Sequence, residues 1–306
     1  MSTPTPERGA IAAIDIGTNS VRLLVTDQAG TELQRLMRMT RLGQGVDVTQ
    51  SLAPEAIART VSVLAEYATC LRAHGATRVR AVATSAARDA TNGAAFFDAA
   101  EAALGVRPEL LSGDAEARLS FDGATHGLPR ADGPFLVIDL GGGSTEFVLG
   151  SAQPEAAIST QMGCVRMTER HLHSDPPTSA ELSACEADVR RELAQVRALI
   201  DVGRARTVVG LAGTVTSLAA LELGLTEYDP ARTHLSRLSR EQVSRLCARL
   251  SLASLAERRR LLVQPARAEL IVGGALVLAT LMSELSIGEL RVSERDILDG
   301  LAASLL

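Results

Sequence analysis

Tryptophan and lysine are absent from this chain of 306 residues, and aromatic side chains make up only 2% of it. So few rings exclude single-strand nucleic-acid binding by base stacking, which needs aromatic platforms along a basic groove. A formal net charge of −5 likewise gives no overall attraction to a polyanion. The basic residues are all arginine, a bias that GC-rich coding produces by itself. The four cysteines, Cys70, Cys164, Cys185 and Cys247, lie far apart with no C-x-x-C pair. That spacing argues against a zinc site or a disulfide framework and for buried thiols. No apolar run approaches the ~20 residues of a membrane span, and Met1–Gly9 lacks the pattern of a secretory leader. The expectation is therefore a cytoplasmic protein with neither nucleic acid nor membrane as partner. The length and a hydrophobic content of 46% suit two domains, each with its own core.

What the chain does have is one short pattern twice. Ala12–Leu23 and Leu136–Phe147 each run from apolar residues through an Asp (Asp15, Asp139) into a Gly-rich turn with a hydroxyl residue and a second β-rich run. This reads as strand, tight turn, strand. Glycine lets the backbone approach a ligand, and the turn amides with a Ser or Thr hydroxyl suit phosphate oxygens. An Asp beside such a cradle repels phosphate unless a cation stands between them. Two loops of this kind suggest a metal-assisted phosphate site in a cleft. A dinucleotide-binding reading of Gly141-Gly142-Gly143 fails because a β-rich run follows the loop, whereas that fingerprint opens a helix.

Periodicity predicts strands at Ala10–Asp15, Val21–Asp27, Glu32–Thr40, Arg78–Ala83 and Glu109–Leu111, with helices from Pro54 to about His74 and Thr91 to Leu104. A further helix is expected near Asp114–Asp122. The pattern restarts with strands at Phe135–Asp139, Thr145–Leu149 and Glu155–Gln161, a helix near Ser179–Ile200 and a strand at Thr207–Leu211. Several helices follow between Thr214 and Leu285, then a strand at Glu289–Val292 and a closing helix at Asp296–Leu306. A β-β-β-α-β-α unit therefore occurs twice, an internal duplication with helical insertions in the second copy. Glycine and proline between Gly123 and Gly133 place the boundary there, giving domains at 1–126 and 127–295 with residues 296–306 packing on the first. The class is α/β, a mixed sheet covered by helices in each half.

Seven ordered motifs then make the chain resemble the exopolyphosphatase/guanosine-pentaphosphate phosphohydrolase family of the actin-like ATPase superfamily. They are D-I-G-T-N-S-V-R at 15–22, A-T-S-A-A-R-D-A at 83–90, S-G-D-A-E-A-R-L at 112–119 and V-I-D-L-G-G-G-S-T-E at 137–146. M-G-C-V-R at 162–166, G-L-A-G-T at 210–214 and V-S-E-R-D-I-L-D-G at 292–300 complete the set. The resemblance implies two ribonuclease-H-like domains with the active site in the cleft between them. It also implies hydrolysis of the terminal phosphoanhydride of polyphosphate or guanosine pentaphosphate, and a homodimer. The chain ends at Leu306 without the helical extension of the larger family members, so short chains and distributive cleavage are expected.

By that resemblance Glu116 matches the catalytic glutamate, a general base that takes a proton from the attacking water. Without the motif, a Glu in A-E-A-R-L reads as a solvated helix residue. Asp139 and Glu146 are the carboxylates expected to hold Mg²⁺, which favours one or two carboxylates with water and substrate phosphate. Asp139 is thereby counted among the catalytic residues; the plainer reading is that it caps the turn. The expected phosphate-binding set is Gly17, Thr18, Asn19, Ser20, Gly141, Gly142, Gly143, Ser144, Gly213 and Thr214, with Arg88 for bidentate contact. Asp15 matches the first-loop aspartate and is expected to orient water or metal. Arg22, Arg41 and Arg267 are weaker candidates for gripping further phosphates. His234 has no partner at ligand spacing and reads as structural. A kinase on the same fold would need an acceptor-alcohol pocket, and a non-catalytic sensor of polyphosphate or alarmone could dispense with Glu116.

Overall fold

A computed structural model describes residues 9–306, so the reading of the first eight residues as lacking a leader lies outside the described residues. Two compact units form, one of residues up to Ser112 with Ile297–Leu306, the other Gly113–Asp296. Among the described residues no helix is long and apolar enough to cross a membrane.

The first unit is built on β1 (Ala10–Ile16), β2 (Ser20–Thr26), β3 (Glu32–Met39), β4 (Ala76–Ala83) and β5 (Glu109–Leu110), in the order β3-β2-β1-β4-β5. The first three strands run antiparallel, and β4 and β5 continue the sheet in parallel. Every residue of β1 is buried, as an almost unbroken apolar run in a central strand requires. Helices Pro54–Ala73 and Gly93–Leu104 supply Leu64, Tyr67, Leu71, Phe96 and Ala100 to a core with Ile14, Ile16 and Leu23. The closing helix Ile297–Ala303 packs on β1 and β2, and Asp299 accepts a hydrogen bond from Arg35 at 2.8 Å.

The second unit repeats this plan. Its strands β6 (Phe135–Leu140), β7 (Thr145–Gly150), β8 (Pro154–Thr160), β9 (Thr207–Leu211), β10 (Arg237–Ser239) and β11 (Glu289–Val292) take the order β10-β11-β9-β6-β7-β8. Again a three-strand antiparallel meander is extended in parallel, by β9 and β11, with β10 added at the far edge. Each unit therefore carries a ribonuclease-H-like sheet; the α/β class read from the duplication and the two actin-like units implied by the family resemblance are both adopted.

Strand alternation divides the second sheet's faces. Leu136, Ile138, Leu140, Phe147 and Leu149 enter a large core with helices Ser179–Leu199 and Ile271–Glu284. Phe135, Val137, Val148, Val209 and Leu211 face the other way, onto Ala117, Phe121 and Ala124 of helix Gly113–Thr125. That packing carries residues 113–126 into the second unit, not the first as the 1–126 and 127–295 division had it. The Gly and Pro punctuation after Gly123 separates this helix from β6 rather than one unit from the other. Helix Cys164–His171 and the three-residue β10 had no periodic signal long enough to place them.

Candidate active site

Three chemically active side chains sit side by side on the helix-facing surface of the second sheet. Asp139 on β6 lies directly opposite Glu146 on β7, and Glu146 directly opposite Ser159 on β8. Alternation dictates their common face, since Asp139 follows Val137, Glu146 precedes Val148, and Ser159 follows Ala157 by two residues. Asp139 is 7% exposed and Glu146 1%. Like charges in a cross-strand pair destabilise a sheet, and burial compounds the cost. Burial therefore pushes the Glu146 carboxyl well above the usual range, and the charges of Glu116 and Asp139 push it further. Hydrogen bonds from Ser159 and Ser144 act against that rise, the Ser159 Oγ donating to Glu146 Oε1 at 2.7 Å. Among the described residues, no three or more His, Cys, Asp or Glu side chains form a complete metal cage. A buried pair of hard, mutually repelling carboxylates fits an ion that completes its shell with water and phosphate, as Mg²⁺ does, and does not fit zinc.

Helix Gly113–Thr125 brings Glu116 to this row from above, close enough for its charge to act on Glu146. One turn on, the fully buried Ser120 donates to Asp139 Oδ2 at 2.6 Å. At the helix start, a Cβ on Gly113 would lie 2.6 Å from Ser159 Cβ, so this position admits no side chain.

Beside the row, the turn Gly141–Ser144 has its carbonyls held from behind. Gly141 O accepts from the Cys164 amide at 2.9 Å, Gly142 O from Val165 and Arg166 at 2.8 and 3.2 Å, and Gly143 O from Arg166 Nε at 2.6 Å. The first turn of helix Cys164–His171 thus holds the acceptors, and among the described residues no backbone carbonyl takes the amides of Gly142 or Gly143. Such a loop presents donors, the polarity an anion needs. Gly163 makes the close seating possible: a Cβ there would come within 2.2 Å of Gly142 O.

Gly213 and Thr214 open helix Gly213–Glu222 after Ala212, whose φ of 72° marks a tight entry. The Arg267 guanidinium fills the space where a Gly213 side chain would stand, 1.7 Å from its ideal Cβ. Burial raises the Cys164 thiol pKa, while Arg267 and a hydrogen bond with Thr214 lower it, so these groups share one neighbourhood with the Gly141 turn. The second unit therefore gathers Glu116, Asp139, Glu146, Gly141, Gly142, Gly143, Ser144, Gly213, Thr214 and Arg267. Arg267, ranked as a weak candidate by its sequence context, is placed among them by the tertiary structure. His234 Nδ1 accepts from the Glu294 amide at 3.2 Å, a backbone-supporting contact.

Asp15, Gly17, Thr18, Asn19, Ser20 and Arg88 belong to the first unit. Their loop is backed in the same manner: Thr18 O accepts from Gly43 at 2.8 Å, and Asn19 O from Thr40 and Arg41 at 3.1 and 2.9 Å. Buried Asn19 Oδ1, Thr40 Oγ1 and Ser85 Oγ make no hydrogen bond within the chain. Arg88 Nη1 donates to Leu111 O at 3.0 Å. The halves differ in the cross-strand partner of the aspartate. Opposite Asp15 stands Arg22, where Asp139 faces Glu146, and Arg22 donates to Asp15 Oδ2 through Nε at 3.0 Å and Nη2 at 2.6 Å. Arg22 thus pairs with Asp15. Sequence reasoning missed Ser120, Ser159, Gly113 and the backing role of Gly163; the i, i+4 spacing of Glu116 and Ser120 was the one signal available.

The sequence profile of the Ppx/GppA phosphatase family matches residues 23–306. The chain belongs to that family. It is 49% identical to a Mycobacterium tuberculosis protein named Exopolyphosphatase 2, over 96% of this chain and 98% of the relative. Among solved structures, an exopolyphosphatase-like protein aligns with a TM-score of 0.93 at 40% identity, covering 97% of this chain and 98% of the other. An Aquifex aeolicus Ppx/GppA family member aligns with a TM-score of 0.80 at 31% identity, covering 97% of each chain. Of the seven motifs quoted above, those at 112–119, 137–146, 162–166 and 210–214 lie on the helix and loops gathered in the second unit, and those at 15–22 and 83–90 lie in the first.

Proposed function

We propose that this chain is an exopolyphosphatase that hydrolyses the terminal phosphoanhydride of short inorganic polyphosphate, with Mg²⁺, and releases orthophosphate. The observation that carries this reading is the buried Asp139–Glu146 pair beneath Glu116, beside a turn whose carbonyls are held from behind. The 49% identity to a relative named as an exopolyphosphatase supports the substrate class.

In this reading the amides of the Gly141–Ser144 turn, with Gly213, Thr214 and Arg267, bind the oxygens of the terminal phosphoryl group. Within the first unit, Gly17–Ser20 and Arg88 form a second set of candidate phosphate donors. Asp139 and Glu146 hold Mg²⁺, which when bound neutralises charge on the transferring phosphoryl group. Glu116 accepts a proton from water as the water oxygen bonds to the terminal phosphorus and the bridging P–O bond breaks. The bridging oxygen stays with the shortened chain, and Glu116 then returns its proton to solvent or product. Donors fixed before reaction need no reorganisation as charge develops, which is where such sites draw most of their rate. We further propose a cytoplasmic homodimer.

Orthophosphate release from short polyphosphate, measured with and without guanosine pentaphosphate as competitor, tests the substrate. Preferential turnover of the guanosine compound would reassign it, and binding without turnover in Mg²⁺ would make the chain a sensor. Glu116→Gln should lower turnover by about 10²-fold or more while polyphosphate still binds. A monomeric mass at micromolar concentration would contradict the dimer.

A further inference from the structure

The row Asp139, Glu146, Ser159 crosses three neighbouring strands, which lie about 4.8 Å apart. Helix Gly113–Thr125 lies over it with Gly113, Glu116 and Ser120 on one face. At a rise of 1.5 Å per residue, Gly113 to Glu116 spans about 4.5 Å and Glu116 to Ser120 about 6 Å. Each step of the helix stripe therefore matches roughly one step across the sheet. The two end contacts follow that order, Gly113 abutting Ser159 on β8 and Ser120 donating to Asp139 on β6, and between them the charge of Glu116 reaches Glu146 on β7.

We infer that Gly113 and Ser120 are positioning residues that fix this helix at the two ends of the carboxylate row and so set Glu116 over Glu146. The inference rests on Glu116 being the base. Two unlike constraints act at the ends. Ser120 is a tether, a buried hydroxyl-to-carboxylate hydrogen bond of 2.6 Å, which is the short, charge-assisted kind. Gly113 is a height stop. Its missing side chain lets the helix start rest on Ser159, where a Cβ would meet another Cβ at 2.6 Å against the 3.4 Å of ordinary contact. Ser159 is anchored in that clash, by its hydrogen bond to Glu146 and by pairing in the sheet. An alanine at position 113 must therefore lift the helix start by most of an ångström, and Glu116 one turn later rises with it. The apolar stripe Ala117, Phe121 and Ala124 keeps the rest of the helix seated, so the displacement falls at the end that carries the base.

The test is a mutant cycle in the full-length protein, with orthophosphate release from short polyphosphate in Mg²⁺ as the assay. Gly113→Ala and Ser120→Ala should each lower kcat by about 10- to 100-fold, the range for lost outer-shell support or a base misplaced by about 1 Å. KM for polyphosphate should move less than about threefold in both variants, and calorimetric Mg²⁺ binding less than about threefold in Gly113→Ala, which touches no proposed metal ligand. In a Glu116→Gln background the same substitutions should cost almost nothing further, because there is no base left to misplace. A merely structural role would lower kcat equally in both backgrounds, and that result overturns the inference. Unchanged kcat in both single variants overturns it too, while leaving the assignment of Glu116 intact. Full activity in Glu116→Gln alone removes the base itself and with it anything to position. If Gly113→Ala fails to fold, Ser120→Ala, which deletes one oxygen and adds no volume, decides the matter by the same cycle.

Discussion

Replacing Gly163 by alanine puts the backing of the phosphate turn under direct stress. The added Cβ would lie 2.2 Å from Gly142 O, 2.3 Å from Gly142 C and 2.5 Å from Gly143 N, all of them backbone. Ordinary contact starts at 3.4 Å, so either the turn or the start of helix Cys164–His171 must retreat by about 1 Å. That retreat breaks the bonds from Cys164, Val165 and Arg166 to Gly141 and Gly142, and lets the carbonyls swing toward the phosphate. A misplacement of about 1 Å in a positioned site costs roughly 10²-fold, which is about 2.7 kcal/mol of transition-state binding. The assay is kcat/KM for orthophosphate release from short polyphosphate, with folding checked by thermal melting. Gly288→Ala is the control: an exposed glycine with nothing within 4 Å of its Cβ and no left-handed φ, it should change neither activity nor melting. A Gly163→Ala enzyme with kcat/KM within about threefold of wild type would refute the reasoning, since the turn would then tolerate loss of its backing.

Gly213→Ala displaces the Arg267 guanidinium, so it should raise KM by about tenfold, as Arg267→Ala does, and the double variant should be no worse than Arg267→Ala alone; additive losses would separate the two residues. The folded pKa of Glu146 lies above its ordinary 4.5, so the stability this shift supplies is complete below pH 4.5 and is lost as pH rises through the folded value. In chelator, Glu146→Gln should therefore melt higher than wild type at neutral pH, with the gap closing as pH falls toward 4.5; identical melting at every pH would contradict the buried charge pair. Exhaustive chelation should suppress orthophosphate release by about 10²-fold or more, with recovery on adding Mg²⁺, and activity that survives would leave Asp139 as a turn cap.

The duplication was legible in the sequence because it is carried by local order: an apolar run, an Asp, a Gly-rich turn and a second run, occurring at Asp15 and again at Asp139. The strand alternation that turns Asp139 and Glu146 to one face is likewise local, as a period of two fixes which side chains share a surface. Spacing along the chain could not say which sheet the helix at residues 113–125 would cover. Ala117, Phe121 and Ala124 would suit any apolar sheet face, and the choice fell to the complementary surface of Val137, Val148, Val209 and Leu211. With that choice came the pairing of Ser120 with Asp139 and the closeness of Gly113 to Ser159, contacts between segments 19 and 46 residues apart. Arg22 and Arg267 divide the same way. Both read as surface arginines from composition, yet strand register puts Arg22 on Asp15, and tertiary packing lays Arg267 over Gly213. Residue type and short-range period determined the chemistry available to this chain; which groups meet was decided by how the covering elements bury their apolar faces, since that burial is the largest favourable term and has no direction of its own.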